Sequence, residues 1–387
     1  MVQKYYLCRK FFYAMNFDRI FNRALSLEPL SLEEGVMLYE QAPTSELVFI
    51  ANQLRQKFHP GNIVTWMIDR NINITNICIS GCKFCNFHRK INGKNTYTTT
   101  FDEYKTKIEE MLQLGGNQVL LQGGMHPGYG LAFYCDLFSQ LKNEFPEIRL
   151  HALGPPEIVH IARKERISYG KVLEKLIASG LDSLPGAGAE ILCDRVRKEI
   201  SPGKASTSEW LEVMAVAHQM GMLTSATMMF GHIETIEERI NHLIYLRDLQ
   251  AKKPLDKPGF MAFIPWPIVS EGTELGEQVK MDPVLPIEYI RTIAISRIIL
   301  NNIINIQSSW LTVGKETAQV SLHAGANDLG SIMIEENVVS AAGASNKLSA
   351  YEMQRTIAEA GFQPQLRTQD YSFIDLPKAV EKFIFTH

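Results

Sequence analysis

The stretch Asn76-Ile-Cys78-Ile-Ser-Gly-Cys82-Lys-Phe84-Cys85-Asn-Phe-His88 carries three cysteines at C-x3-C-x2-C spacing within one polar segment. Gly81 lets the chain turn tightly between them, and the preceding run Ile72–Thr75 is typical of a strand. Such a loop can direct three sulfurs at one centre, and thiolates suit zinc, copper(I) or an iron–sulfur cluster. The spacing therefore predicts a metal site built on these three cysteines.

The number of available ligands separates the kinds of metal site. A closed zinc site takes four ligands, and His88, three residues past Cys85, keeps a Cys3His zinc site open as an alternative. A [4Fe–4S] cluster normally takes four cysteines, so Cys78, Cys82 and Cys85 leave one iron without a protein ligand. That iron can bind a small chelating molecule, which implies a site that carries out a reaction rather than a purely structural one.

The composition describes a globular enzyme whose partner is a small molecule. Of 387 residues, 45% are hydrophobic and 21% are charged. The net charge of −3 lacks the positive excess that would attract nucleic acid or an anionic membrane. Six cysteines are too few for a disulfide framework, and no apolar run approaches the roughly 20 residues that span a bilayer. We therefore expect a cytoplasmic protein with no nucleic-acid or membrane partner, in which Cys8, Cys135 and Cys193 are ordinary thiols.

Strands alternate with helices through most of the chain, which predicts a parallel sheet buried on both faces. Seven strands and an eighth favour an α/β fold of the closed TIM-type (β/α) barrel kind over an open doubly wound sheet. The loops that follow the strands then form the active site. The predicted strands are Ile72–Thr75, Gln118–Gln122, Arg149–Ala152, Asp182–Leu184, Leu223–Met229, Phe260–Ile264, Asn305–Ser309 and Asp328–Ile332. The predicted helices are Phe101–Leu114, Leu131–Phe145, Val172–Ser179, Ser208–Met220, Ile236–Leu249, Ile287–Leu300 and Ser349–Ala360.

The N-terminal region has a helical pattern without strands. Apolar residues from Phe17 onward repeat at helical spacing, and Ser31-Leu-Glu-Glu34 has the sequence of a capping box. Met15 is a second candidate start, which predicts that residues 1–14 are an upstream extension. We expect an N-terminal extension and helical cap at residues 1–60, the barrel with its C-terminal closing elements at residues 61–375, and a tail at residues 376–387.

The cysteine loop, with the aromatic Phe84 before its last cysteine, resembles the cluster loop of the radical S-adenosylmethionine (SAM) superfamily. The resemblance implies a [4Fe–4S] cluster whose open iron holds SAM, and a 5′-deoxyadenosyl radical that abstracts hydrogen. It also implies that Phe84, Gly123 and Gly124 lie at the cofactor, with the glycines contacting the methionine amino group. Glu190, after the fourth predicted strand, is the implied ligand of the SAM ribose.

A positive side chain near Glu190 is expected to hold the carboxylate of SAM, because a guanidinium or ammonium group pairs with a carboxylate. Arg195, Arg197 and Lys204 all follow the same predicted strand. Each of the three, taken by itself, is more typical of a solvated charge on a helix than of a ligand. The sequence leaves the choice among them open.

Further stretches resemble the futalosine-pathway enzymes of menaquinone biosynthesis and their relatives that make the F420 chromophore. This resemblance spans residues 34–370. It implies dehypoxanthine futalosine, a ribose with a carboxyphenyl ketone arm, as the substrate, and a flavodoxin or ferredoxin as the electron donor. Synthesis of aminofutalosine or of the F420 chromophore is the alternative within this class. The motifs that carry the resemblance are Asp69-Arg-Asn-Ile-Asn73, Gly154-Pro-Pro-Glu157, Gly186-Ala-Gly-Ala-Glu190, Ile200-Ser-Pro-Gly-Lys204, Met228-Met-Phe-Gly-His232-Ile-Glu234, Phe263-Ile-Pro-Trp-Pro267, Gly325-Ala-Asn-Asp328 and Glu335-Glu-Asn337.

The implied cyclisation removes the ribose C4′ hydrogen, joins the new carbon radical to the benzoate ring, and then loses one electron and one proton. The last step needs a base. His232 and Asp69 are the candidate bases, because both are expected at the barrel mouth. A non-catalytic iron–sulfur protein is the alternative of another class, and it predicts no SAM binding.

Overall fold

The computed structural model describes residues 17–337, 340–343 and 346–382. The predicted extension at residues 1–14 lies outside the described residues, as does the end of the predicted tail. None of the helices in the described part combines the length and apolar character needed to cross a bilayer. The predicted domain boundaries at residues 60 and 375 stay predictions.

Parallel strands form the centre of the molecule. They are β1 Ile63–Met67, β2 Asp69–Asn73, β3 Gln118–Gln122, β4 Arg149–Ala152, β5 Ser183–Leu184, β6 Leu223–Phe230, β7 Gly259–Pro267, β8 Asn305–Ile306, β9 Asp328–Ser331 and β10 Gln363–Leu366. Strands β2 to β8 lie side by side in sequence order. Just past β8 the Ser308 amide donates to the Asp328 carbonyl at 2.9 Å, and past β9 the Ile334 amide donates to the Asp69 carbonyl of β2 at 3.4 Å. These bonds close the predicted TIM-type barrel through β9.

Helices surround the strands. They are α1 at residues 17–25, α2 Leu32–Gln41, α3 Thr44–Phe58, α4 Phe101–Gln113, α5 Leu131–Glu144, α6 Pro155–Glu165, α7 Tyr169–Ala178, α8 Asp194–Ile200, α9 Thr207–Gln219, α10 Ile236–Ala251, α11 Glu274–Gln278, α12 Pro286–Ile299, α13 Trp310–Val313, α14 Lys315–His323 and α15 Ala350–Glu359. The seven predicted barrel helices are present, whereas α8, α11, α13 and α14 were not predicted. The predicted capping box opens α2, since Ser31 and Glu34 each accept a bond from the other's backbone amide.

The helical N-terminal segment is present and packs against the outside of the barrel. Helix α2 contacts α10, and α3 contacts α12. Arg291 of α12 fastens this segment, because its guanidinium donates to the carbonyls of Leu38, Tyr39 and Ala42 at 2.6 to 3.0 Å. The segment therefore covers two barrel helices.

The first barrel strand begins earlier than the sequence predicts. All five residues of β2, from Asp69 to Asn73, are buried although four of them are polar. Alternate residues of a strand face opposite sides: in β3, Val119 and Leu121 join the hydrophobic core, whereas Gln118 faces the barrel interior. A polar barrel interior hides such strands from a search for apolar runs. Strand β10 was not predicted either, because its sequence Gln363-Pro-Gln-Leu366 is mostly polar and lacks an apolar run.

Candidate active site

The cysteine loop follows β2 and is held in shape by its own backbone. Thr75 bridges to Thr98, and Ile77 bridges to Arg89. The Arg89 guanidinium also donates to the carbonyls of Asn86 and His88 at 2.7 and 2.8 Å. Arg89 therefore holds the backbone at the end of the cysteine loop.

The three cysteines line one cavity at the carboxyl ends of the strands. Ser80 Oγ lies 2.9 Å from Cys78 Sγ and 3.2 Å from Cys82 Sγ, and the Met125 amide donates to Cys78 Sγ at 3.3 Å. Backbone and hydroxyl donors directed at sulfur are the surroundings that tune a thiolate-bound cluster. The donor set therefore fits a [4Fe–4S] cluster held by three cysteines.

The arrangement does not form a compact site for a single ion. No three metal-ligating side chains within the described ranges converge on one position. The ring nitrogen Nδ1 of His88 lies 2.8 Å from the Cys85 carbonyl oxygen, to which it donates. His88 also lines the cavity near the cysteines, and its role as a fourth zinc ligand stays a prediction.

Gly123 and Gly124 follow β3 and pass directly beneath the cysteine loop. A Cβ atom on Gly124 would lie 2.2 Å from the Ile77 carbonyl oxygen and 2.9 Å from Cys78 Cβ. A Cβ atom on Gly123 would lie 2.9 Å from the Thr75 carbonyl oxygen. Both positions must be glycine for the loop and β3 to pack, and both line the cavity.

Glu190, Lys204 and Phe84 share one wall of the cavity. The Lys204 ammonium donates to Glu190 Oε1 at 2.5 Å and lies 5.2 Å from the centre of the Phe84 ring. Burial lowers the pKa of Lys204, whereas Cys82 and Glu190 raise it, and the net shift is upward. The lysine is therefore charged, and it is the cation that this wall presents.

The other two basic candidates are engaged elsewhere. Arg197 is buried and donates to the carbonyls of Ala189 and Ala205, so it braces the backbone that carries Glu190. Arg195 is exposed and pairs with Glu238 at 2.6 Å. Neither lines the cavity, and Lys204 alone of the three does.

His232 does not reach the cavity, contrary to the sequence prediction. Its side chain is fully buried, Nε2 donates to the Met229 carbonyl at 3.0 Å, and Nδ1 accepts from the Ile233 amide at 2.8 Å. Burial lowers the pKa of His232. The neighbouring Glu234 accepts from two amides of the same turn and pairs with Arg239 at 2.6 Å. This motif therefore holds the turn after β6 in place.

Asp69 does line the cavity, but at its floor rather than at its mouth. We define the floor as the lining residues at the start of β2 and β3 and after β10, which are Asp69, Gln118, Arg367, Gln369 and Tyr371. Ser331 Oγ donates to Asp69 Oδ1, and burial raises the pKa of the Asp69 carboxyl. One oxygen of Asp69 is thus already occupied.

The cavity, of about 380 Å³, extends from the cysteine loop down into the barrel. Sequence reasoning missed several of its residues. Glu157 lines the wall near Lys204; its Oε2 has no partner among the described residues, and burial raises its pKa to about 7. Asn71 and Trp266 line the interior. All three residues lie in motifs that carry the family resemblance in the sequence. The sequence analysis therefore included these residues but assigned them no role in the site.

Comparison with known proteins places the chain among radical SAM proteins. Residues 72–246 match the radical SAM superfamily, and residues 257–380 match the CofH/MqnC C-terminal region. The chain is 41% identical to a cyclic dehypoxanthine futalosine synthase of Streptomyces coelicolor, covering 92% of this chain and 88% of the relative. It is 40% identical to one of Halalkalibacterium halodurans, covering 93% and 95%. It is also 40% identical to a 5-amino-6-(D-ribitylamino)uracil–L-tyrosine 4-hydroxyphenyl transferase of Archaeoglobus fulgidus, covering 84% and 93%.

Solved structures share the fold at low sequence identity. Methylornithine synthase superposes with a TM-score of 0.68 at 18% identity, covering 90% of this chain and 98% of the other. The hydrogenase maturase HydG superposes with a TM-score of 0.71 at 15% identity, covering 92% and 77%. These similarities confirm the barrel architecture.

Proposed function

The chain belongs to the radical SAM superfamily, in the family that contains CofH and MqnC, and from that membership we propose that it cyclises dehypoxanthine futalosine. The observation that carries the proposal is 41% identity to a cyclic dehypoxanthine futalosine synthase over 92% of the chain. The cavity supports it, because cysteines, a lysine–glutamate pair and an unpaired carboxyl line one space.

The residues proposed to hold the cofactors are those at the mouth. Cys78, Cys82 and Cys85 would ligate the [4Fe–4S] cluster and leave one iron open for SAM. A reduced cluster held by these cysteines would supply the electron that cleaves SAM into methionine and a 5′-deoxyadenosyl radical. Glu190 would accept hydrogen bonds from the ribose hydroxyls of SAM, and Lys204 would pair with its carboxylate.

The backbone beside the cysteines has a separate proposed task. Gly123 and Gly124 bring carbonyl groups close to the loop, where they would accept bonds from the methionine ammonium group. Phe84 would cover the side of Lys204 that faces the cluster, which keeps water from the pair. The electron donor that we propose is a flavodoxin or ferredoxin.

In the proposed reaction the substrate loses its ribose C4′ hydrogen atom, and C4′ bonds to the benzoate ring. The closed ring regains aromaticity by losing one electron to a one-electron acceptor and one proton to a base. We propose Glu157 as that base, because it is a lining residue of the cavity and its buried Oε2 has no partner in the described structure. His232 is bonded at both ring nitrogens, and Asp69 lies at the floor.

The test is an activity assay with the proposed substrate. Anaerobically reconstituted protein is incubated with a reductant, SAM and dehypoxanthine futalosine, and the products are analysed by mass spectrometry. The proposal predicts 5′-deoxyadenosine together with a cyclised product lighter than the substrate by two hydrogen atoms. A parallel incubation with 5-amino-6-(D-ribitylamino)uracil and tyrosine tests the transferase reaction named for the archaeal relative. Turnover there, and none of the futalosine, would overturn the proposal.

A further inference from the structure

One side of the cysteine loop carries large apolar side chains that are exposed to solvent. The exposed fractions are 51% for Ile79, 52% for Ile91 and 39% for Tyr97. Ile79 directly follows Cys78, so its Cα lies about 3.8 Å from the Cα of a proposed cluster ligand. Single exposed apolar residues are ordinary, whereas a group of them marks a surface that binds another molecule.

The backbone of the loop brings these exposed side chains together. The Cys78 amide donates to the Arg89 carbonyl at 3.0 Å, and the two isoleucines follow these residues at a distance of one and two positions. The Tyr97 amide donates to Asn76 Oδ1 at 3.0 Å, which ties the tyrosine to the start of the loop. The three apolar residues therefore extend from adjacent pieces of backbone.

The same segment is positively charged, although the whole chain has a net charge of −3. Residues 70–101 contain no acidic residue. Lys90 and Lys94 are exposed, and neither pairs with a carboxylate in residues 17–337, 340–343 or 346–382. The Arg89 guanidinium donates to backbone carbonyls and leaves its charge uncompensated as well. We define the loop face as Ile79, Lys90, Ile91, Lys94 and Tyr97.

Other elements cover the remaining sides of the loop. The Gly203 amide donates to the Ser80 carbonyl at 2.9 Å, and the Leu275 amide of α11 donates to the Lys83 carbonyl at 2.8 Å. Cys82 is only 4% exposed. The cavity side is the proposed place of SAM and the substrate. In the part of the chain that the structure describes, the loop face is thus the side on which a large partner can approach the cysteines.

An aromatic contact joins the loop face to the cavity. Phe87 lines the cavity, and its ring centre lies 6.2 Å from that of Tyr97 in an edge-to-face arrangement. On the other side of the face, a single peptide bond separates Ile79 from Cys78. Because electron transfer weakens steeply with distance, a surface this close to the cysteines suits a partner that delivers electrons.

We propose that the loop face is the docking site of an acidic one-electron carrier protein of the flavodoxin or ferredoxin kind. This inference rests on the proposed function, because a cluster that cleaves SAM needs an electron from outside. One electron leaves the reduced carrier and enters the cluster. Acidic groups of the carrier pair with Lys90 and Lys94, and its apolar surface covers the two isoleucines and Tyr97.

The chemistry of the loop face fits such a partner. Opposite charges speed the encounter of two proteins and set their orientation. Interfaces for electron transfer are small, below about 1,200 Å² in total, so a few side chains are sufficient. An anionic membrane surface would attract the same lysines, but the position beside Cys78 favours the carrier.

The experiment measures binding to the full-length, cluster-loaded protein. A flavodoxin and a ferredoxin, each with a net negative charge, are titrated by calorimetry at low and at high salt into the wild type and into Lys90→Glu/Lys94→Glu. We expect the double variant to bind about 10- to 100-fold more weakly at low salt, because two attractions become repulsions. High salt should weaken binding to the wild type and change binding to the variant little, since salt screens exposed charges.

The matched control is Lys252→Glu/Lys378→Glu, which makes the same charge change at the opposite end of the barrel. Both lysines are exposed. Lys252 ends α10 before β7. Lys378 follows Pro377, whose ring lies against Gly115 in the turn before β3. The control should bind both carriers with wild-type affinity.

A second pair of variants tests the apolar part of the loop face. Ile91→Gln should bind the carriers about 3- to 10-fold more weakly, because part of an isoleucine side chain is no longer removed from water. Leu255→Gln changes a fully exposed residue in the loop before β7 and should bind normally. With dithionite as the reductant, all variants should form 5′-deoxyadenosine at about the wild-type rate, because a small reductant needs no docking site.

The outcomes separate this inference from the function on which it rests. If the dithionite-reduced wild type forms no cyclised product from dehypoxanthine futalosine, the proposed function fails, whatever the carrier affinities are. If it forms the product but binds neither carrier, the docking site is wrong. Equal carrier affinity in the wild type and Lys90→Glu/Lys94→Glu, or an equal loss in the control, also overturns the inference.

Two further measurements cover the alternatives. Binding to phosphatidylglycerol vesicles that is lost in Lys90→Glu/Lys94→Glu, without binding of either carrier, would assign the loop face to a membrane and overturn the inference. If the glutamate variant loses its iron, Lys90→Gln/Lys94→Gln repeats the comparison with a smaller charge change. Loss of iron there too would show that the lysines hold the loop in shape, which overturns the docking role.

Discussion

Two glutamates on the cavity wall, Glu157 and Glu190, have different electrostatic surroundings. Glu190 accepts from the Lys204 ammonium at 2.5 Å, whereas Glu157 Oε2 has no partner among the described residues and burial raises its pKa to about 7. Carboxyl groups in unlike surroundings take unlike tasks. The paired group suits binding, and the unpaired group suits proton transfer.

The proposed base gives the reaction a pH dependence. Only the carboxylate form of Glu157 accepts a proton, and its population rises as the pH increases through about 7. The ratio of cyclised product to 5′-deoxyadenosine should therefore rise from about pH 6 to about pH 8 in the wild type. In Glu157→Gln the ratio should be low and flat while 5′-deoxyadenosine still forms. The measurement is the amount of cyclised product and of 5′-deoxyadenosine in the same quenched samples at each pH. If the ratio in Glu157→Gln depends on pH as it does in the wild type, another group accepts the proton.

His232→Phe tests the structural assignment of the histidine. The variant loses the bonds to the Met229 carbonyl and the Ile233 amide and leaves both backbone groups without the histidine as a partner. The expected cost is about 1 to 3 kcal/mol of unfolding free energy. Product and 5′-deoxyadenosine should fall together, with their ratio unchanged. A normal melting temperature with a reduced ratio would instead assign His232 to proton transfer.

At the scale of elements, the site depends on how closely strand ends pack against the cysteine loop. Gly124 after β3 approaches the loop backbone, and the Gly203 amide between α8 and α9 donates to the Ser80 carbonyl at 2.9 Å. The motif that begins at Asp69 contacts the motif that begins at Glu335, since Arg70 of β2 pairs with Glu335 after β9 at 2.9 Å. The loop is therefore held by several elements at once.

Gly124→Ala should disrupt the loop. Its Cβ would lie 2.2 Å from the Ile77 carbonyl oxygen, a contact that only a backbone shift relieves. We expect a loss of bound iron and of the cluster absorbance. The control is Gly170→Ala in α7, whose Cβ meets only Val216 Cγ1 at 3.6 Å and which should retain full iron content and gain up to about 1 kcal/mol. Equal iron content in both variants would refute the packing argument.

At the scale of the whole molecule, the C-terminal segment closes the floor of the barrel. Strand β10 pairs with β1, and Arg367 directly after it pairs with the fully buried Asp328 of β9. The same arginine lies 3.9 Å from the centre of the Tyr371 ring. Residues far apart in sequence thus share one buried charge pair beneath the cavity.

Arg367→Leu should be strongly destabilising, because it leaves the Asp328 carboxylate buried without its partner. Such losses cost about 3 to 5 kcal/mol. The double variant Arg367→Leu/Asp328→Asn removes the charge as well and should recover much of the loss. Denaturant unfolding of the two variants and the wild type measures both values. If the double variant is no more stable than the single one, the cost does not come from the unpaired charge.

The sequence by itself determined the cysteine loop, most of the strands and helices in their order, and the barrel. These features depend on local patterns, because cysteine spacing and the alternation of apolar runs can be recognised within short stretches of sequence. The structure confirmed the predicted β3 and β4 at the same residues, and it placed the glycine pair and Glu190 on the cavity.

Only the tertiary structure decided which polar residues share the cavity. It selected Lys204 from three basic candidates, moved His232 into a buried turn and brought Glu157, Asn71 and Gln118 to the wall. Strand register and helix placement set the direction of each side chain, and both depend on contacts between segments distant in sequence. The sequence does not show whether a histidine or glutamate is fully hydrogen-bonded inside a turn, as His232 is, or unpaired at the cavity wall, as Glu157 is. That difference depends on the residues that surround the side chain in the folded protein.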